Sequence, residues 1–181
     1  SQVDLAFSPD GQTLATGNGK GVVTLWDMSD GTPRIRTELM NHSGIVTLAF
    51  SEDGTLATRA FGSTERKLLL WDLNSDKPEV MTRFENGRAI NSIALSPDSN
   101  LLAIKNDTGS IVLWDLADEL PGTLNEAGSV QARLRGENPQ FSPTRESLFF
   151  ISDQTTVVEF DVINYIEKRR WTLPGPVNEF T

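Results

Sequence analysis

"TLWD" at residues 24–27, "LLWD" at 69–72 and "VLWD" at 112–115 are one word written three times, and a looser copy, "VEFD", stands at 158–161. The aromatic residue of each word, Trp26, Trp71, Trp114 and Phe160, returns with a period of about 45 residues, which is the mark of a stacked or radial repeat array. Each word closes a run rich in strand formers: "VVTLW" at 22–26, "KLLLW" at 67–71, "SIVLW" at 110–114 and "TVVEF" at 156–160. A half-buried strand would alternate; these runs are almost continuously apolar and read as strands covered on both faces.

Working outward, each unit opens on a short apolar run: "VDLAF" at 3–7, "IVTLAF" at 45–50, "INSIAL" at 90–95 and a degenerate "NPQF" at 138–141. Each run meets a turn word: "SPDG" at 8–11, "SEDG" at 51–54, "SPDS" at 96–99 and "SPTR" at 142–145. Pro second, Asp third and Gly fourth are type I turn chemistry, so the first two strands of each unit form a hairpin. A fourth, outer strand follows the aromatic word: "RIRTEL", "EVMTRF", "VQARL" and "RRWTL". The segment "DLADELPGTLNEAG" at 115–128 is an insertion expected to be mobile. The units run over about 1–40, 41–85, 86–136 and 137–176, and 177–181 reads as the start of another, with Val177 and Asn178 aligning to Ile90 and Asn91.

These motifs resemble WD40 repeats, and the resemblance covers the whole chain. It implies an all-β fold: a β-propeller of four-stranded antiparallel blades, with four blades here and an incomplete ring. It also implies a docking platform for other proteins, in the style of bacterial multidomain arrays. The expected function is a non-catalytic protein-protein interaction scaffold; the alternative is a sensor or regulatory segment of a larger signalling enzyme whose NTPase, protease or kinase module lies elsewhere. In this family a Trp of strand three, a Ser/Thr of strand two, a His before strand one and an Asp before strand three often form a hydrogen-bonded tetrad. His42, Thr58 and Trp71 match it best, with Glu65 at the Asp position. Thr16 and Trp26 match in the first unit, where Lys20 takes the Asp position. Trp114 stands in the third, where Gly87 and Ile104 replace His and Ser/Thr. With the tetrad so eroded, packing is expected to hold the blades.

The 181 residues include no Cys and one His, with a net charge of −9. Absence of Cys fits a reducing, cytoplasmic setting, and the acidity argues against nucleic-acid binding. No apolar run is long enough to span a bilayer, so no membrane association is expected. His42 alone cannot build a zinc site, which needs three or four ligands. Asp27, Asp72, Asp115 and Asp161 recur once per unit at strand ends, as turn residues do. "GNGKG" at 17–21 lacks the Lys-Ser/Thr ending of a phosphate loop. No catalytic set, cofactor or metal is expected.

In a four-stranded meander the loops alternate ends. The acids gather at the end holding the turn words, whereas Lys20, Arg59, Arg66, Arg88 and Lys105 fall at the other. The resemblance makes that second end a frequent peptide-docking surface, so these five cations form the candidate partner-binding face, suited to an acidic or phosphorylated peptide. Four such blades are not expected to close a ring. The chain is expected to be a piece of a longer array, and on its own to self-associate.

Overall fold

The computed structural model describes residues 4–40, 44–60, 67–75, 77–85, 89–116, 122–124 and 130–176. The turn words fold as their chemistry dictates. In the first, Gly11 N–H donates to Ser8 O at 2.9 Å and Ser8 N–H to Thr13 O at 2.8 Å. Ser8 Oγ donates to Asp10 Oδ1 at 2.6 Å, and the same carboxylate oxygen receives Gln12 N–H at 2.9 Å. Ser96 and Asp98 repeat the pattern, with Ser96 Oγ 2.7 Å from Asp98 Oδ1. The fourth residue is left-handed in every copy: Gly11 and Gly54, but also Ser99 at φ 57° and Arg145 at φ 67°. A Cβ on Gly11 would meet no atom within 4 Å, so Gly11→Ala probes backbone conformation alone. It should cost about 1–2 kcal/mol, read as a lowered urea midpoint; an unchanged midpoint would show that the turn relaxes freely.

Each turn joins the inner strands of one antiparallel sheet. The first sheet is β1 (Asp4–Phe7), β2 (Thr13–Gly17), β3 (Val22–Asp27) and β4 (Arg34–Met40); the second is β5 (Ile45–Phe50), β6 (Thr55–Ala60), β7 (Lys67–Asp72) and β8 (Glu79–Glu85). The third holds β9 (Ile90–Leu95), β10 (Leu101–Asn106) and β11 (Ser110–Asp115). There the chain passes through β12 (Gly122–Leu124) before completing the sheet with β13 (Val130–Arg135). The fourth is β14 (Glu137–Phe141), β15 (Ser147–Asp153), β16 (Thr156–Asp161) and β17 (Ile166–Thr172). β12 does not pair in the third sheet. It adds in parallel to the outer edge of β8, so part of the insertion expected to be mobile is a strand.

The chain divides into two compact units, the first two sheets with β12 and the last two sheets. In the first unit, Ala15, Val23, Leu25 and Leu39 of one sheet cluster with Leu48, Leu56, Leu69 and Trp71 of the other. In the second, Ala103, Ile111 and Leu113 cluster with Leu148, Phe150, Val158 and Phe160.

Coverage of the third strand corrects the sequence reading. In β7 and β11 four consecutive residues are buried, as expected for two covered faces. In β3 burial alternates, Val23 and Leu25 being buried and Val22, Thr24 and Trp26 only partly so; β16 alternates over most of its length. The physical reason is period two: successive side chains point to opposite faces, and in the first and fourth sheets one of the two faces stays partly exposed.

Candidate functional site

Two of the aromatic words make the bond that ties strand three to strand two. Trp71 Nε1–H donates to Thr58 Oγ1 at 3.0 Å, and Trp26 Nε1–H to Thr16 Oγ1 at 2.9 Å. Pairing of Leu56 with Trp71 and of Thr58 with Leu69 sets the hydroxyl diagonally across from the indole on the same face. Trp114 is buried, and Ile104, which stands where Thr16 and Thr58 stand, offers no hydroxyl. His42, Glu65 and Gly87 lie outside the described residues.

The recurring carboxylates serve their own turns. Asp27 Oδ1 accepts Ser29 N–H at 2.9 Å and Asp72 Oδ1 accepts Asn74 N–H at 2.8 Å. Asp161 Oδ1 accepts Ile163 and Asn164 N–H at 2.8 and 2.9 Å. Bonds from the Asn164 backbone and side chain hold the Asp161 carboxyl down at about 2, helped by Lys168. A carboxyl whose folded value lies below its unfolded one stabilises above the unfolded value, and that contribution disappears as pH falls through the folded one. Stability should therefore fall between about pH 4 and pH 2, and Asp161→Asn should flatten that fall. An unchanged acid limb would show that the turn bonds persist on the protonated acid. Among the described residues, no three His, Asp or Glu converge as a metal site.

The five candidate cations do not share one situation. Lys20 lies exposed in the turn after β2, its N–H bonded to Asn18 Oδ1 at 2.9 Å. Lys105 is occupied: its ammonium pairs with the Glu137 carboxylate of β14. Arg59 is not a loop cation, because β6 runs on to Ala60 and Arg59 is only 4% exposed. Its Nε and Nη1 have no hydrogen-bond partner among the described residues. Burial lowers its pKa, against the pull of the Asp4 charge. Asp4 itself is engaged elsewhere, accepting Leu5 N–H at 3.0 Å and Leu48 N–H at 2.7 Å. Arg66 and Arg88 lie outside the described residues. Exchanging a buried charge whose Nε and Nη1 find no partner among the described residues for an apolar chain of similar length is neutral or stabilising. Arg59→Met should leave the melting midpoint unchanged or higher; a loss of about 3–5 kcal/mol would instead mark a broken buried pair.

At the opposite end of the first unit the two turn words flank a cleft of about 190 Å3, lined by Asp10, Glu52, Phe50 and Arg36 among others. Arg36 Nη2 bridges it by donating to Leu73 O and Ser75 O, both at 3.1 Å. It is smaller than typical ligand sites, which enclose roughly 300–1,000 Å3.

Large apolar side chains are exposed on the first sheet. On β1, Leu5 and Phe7 are 60% and 52% exposed; on β4, Ile35 and Met40 are 60% and 68% exposed. Register joins them: Phe7 pairs with Leu14, Leu14 with Trp26 and Trp26 with Ile35. This is one continuous sheet face, centred on half-buried Trp26. The fourth sheet has a counterpart on the side away from its core, where Ile151 pairs with Val157 and Val157 with Trp171. Phe149 stacks on Trp171 there, with ring centroids 6.2 Å apart. These are the faces that four blades short of a ring are expected to leave bare, one on the first sheet and the opposite one on the fourth, although "VVTLW" alone is as apolar as "KLLLW".

Comparison with known proteins supplies a family. The sequence model of the family described as nucleolar protein 10-like, N-terminal domain, a β-propeller, matches residues 2–118. No curated protein matches the chain. Among solved structures, the β-propeller domain of Myceliophteria thermophila Cps50 (Swd1) is similar, with a TM-score of 0.73 and 15% sequence identity. The likeness covers 97% of this chain and 58% of that one. At that identity it shows the fold alone, a WD40-type β-propeller. Neither likeness supports a bacterial multidomain setting.

Proposed function

Because the chain belongs to the nucleolar protein 10-like N-terminal β-propeller family, we propose that it is a non-catalytic scaffold for protein-protein interaction. The observation that carries this reading is the bare sheet face around Trp26, with Leu5, Phe7, Ile35 and Met40 each more than half exposed. Contiguous exposed apolar patches are uncommon on soluble monomers and mark contact sites. The recurrent carboxylates support the same reading, because Oδ1 of Asp27, Asp72 and Asp161 accepts the N–H groups of its own turn. The chain holds no cysteine, which suits either a cytoplasmic place, as the sequence suggests, or the nucleolar one that the family's description names.

The test is quantitative affinity capture with three forms of the chain: unchanged, Ile35→Glu and Lys20→Glu. A charge at Ile35 should remove the specifically captured proteins, and their retention should persist in high salt, as apolar contacts do. Loss with Lys20→Glu and with salt would instead assign binding to an acidic partner at the loop cations. A capture profile unchanged by both substitutions would contradict the scaffold reading.

A further inference from the structure

The outer edge of the second sheet carries an added strand. β12 pairs with β8 in parallel, Gly122 opposite Thr82, Thr123 opposite Arg83 and Leu124 opposite Phe84. The other three sheets end at β4, β13 and β17, with no strand beyond them among the described residues. An outer strand presents a row of N–H and C=O groups, and the ladder built on them is main chain, so an extended segment of another sequence can take the same place. The edge of β8 is thus one that accepts a strand, as its own occupant demonstrates.

That occupant holds the edge weakly. β8 runs for seven residues, Glu79–Glu85, and β12 for three. Pro121 stands immediately before β12 in the sequence and has no N–H with which to extend the ladder toward Glu79. Gly122 opens the strand, and glycine gives up more freedom on pairing than any other residue. Parallel pairing is itself slightly less stable per residue than antiparallel. The register adds a chemical mismatch. Thr123 takes the position opposite Arg83, an exposed cation, where an acidic residue is the better cross-strand partner. Met81, on the same face as Arg83, is 43% exposed and lies outside the register of β12.

We propose that the outer edge of β8 is a strand-addition site for an extended segment of a partner protein, and that β12 holds this edge in cis until such a segment displaces it. The segment runs parallel to β8, with an acidic residue opposite Arg83 and an apolar one opposite Met81. Free of proline, it pairs beyond the three residues that β12 reaches. The inference rests on the scaffold reading for there being a partner protein, and adds a second surface with the kind of segment that fits it.

The test uses two fluorescein-labelled synthetic peptides. The first is the chain's own segment 118–128. The second is that segment with Pro121→Val, Gly122→Val and Thr123→Glu, which sets an apolar residue opposite Met81 and an acid opposite Arg83. Anisotropy is read with the unchanged chain and with Thr123→Pro/Leu124→Pro, which strips two N–H groups from β12 and opens the edge. The first peptide should bind the opened chain, and the unchanged chain about tenfold or more weakly, because only molecules with a vacant edge are competent. The second should bind both forms more tightly and, in the unchanged chain, slow amide exchange over Glu79–Met81, which β12 does not pair with. Its advantage should shrink by roughly two- to fivefold with Arg83→Gln, the worth of a cross-strand ion pair. Circular dichroism shows whether the double proline variant folds; if it does not, the second peptide on the unchanged chain decides. No slowing of exchange in β8 by the second peptide overturns the proposal. So does equal binding of the first peptide to the opened and unchanged chains, the mark of a site elsewhere. An advantage untouched by Arg83→Gln removes the acidic partner. The two readings fail separately. Capture that depends on Ile35, with no peptide on β8, leaves the scaffold and removes the strand site; slowed exchange in β8, with capture indifferent to Ile35→Glu, does the opposite.

Discussion

Trp71→Ala should lower the stability of the chain by about 3–5 kcal/mol, and Trp171→Ala by far less. Trp71 is 7% exposed and sits in the cluster that joins the first two sheets. Its removal opens a cavity in the cluster that includes Val23, Leu25 and Leu56, and takes from the Thr58 hydroxyl the indole N–H it receives. Trp171 lies on β17, whose every residue is exposed, and its ring stacks on Phe149. Its truncation surrenders partial burial and a stacking contact worth about 0.5–1.5 kcal/mol. Urea midpoints of the two variants check the difference; equal shifts would contradict the assignment of inner and outer strands.

Gly136→Ala should cost about 1–3 kcal/mol, by overpacking rather than by backbone strain. A Cβ built at Gly136 falls 2.5 Å from Phe150 Cδ2 and 2.6 Å from the Ile151 carbonyl oxygen. Phe150 is 6% exposed within the second unit's core, so its ring has little room to swing. The carbonyl belongs to a paired strand, in which Ile151 faces Glu137. Gly136 is further pinned by its own N–H, which donates to Gly109 O at 3.1 Å. Gly175→Ala is the matched control. Its Cβ would meet nothing within 4 Å, and its effect should stay within about 0.5 kcal/mol, as for ordinary surface changes. Comparable losses at both glycines would show that the cost is not steric.

Strand placement was legible because turn chemistry and aromatic words are local signals. "SPDG" specifies its own hydrogen bonds, and the same words with Ser99 and Arg145 in the fourth place still turn, forcing those residues left-handed. What was not legible depends on neighbours distant in sequence. β3 and β7 carry equally apolar runs, yet only β7 is buried at four consecutive positions, and nothing in "VVTLW" says so. Lys105 looked free because its partner Glu137 lies 32 residues away. Arg59 looked like a loop cation because an Arg near a predicted strand end is usually solvated; the strand is longer than the pattern suggested, and the guanidinium is enclosed. The acidic, Pro- and Gly-bearing insertion gives little strand signal at Gly122–Leu124, and its pairing is dictated by the free edge of β8. The Thr16–Trp26 and Thr58–Trp71 pairs could be named from the family resemblance, as could one bare face on the first sheet; that it is the face of Trp26 follows only from the packing of Val23 and Leu25.

Hydrogen exchange at the four indole N–H groups, followed by NMR, tests most directly the claim that one aromatic face is left bare. Trp71 and Trp114 are buried, Trp171 is 39% exposed, and Trp26 lies on the uncovered face with its N–H held by Thr16. Slow exchange is expected at Trp71 and Trp114, and faster exchange at Trp26. A Trp26 indole as protected as Trp71 would contradict the account, because the first sheet would then have no bare face to offer.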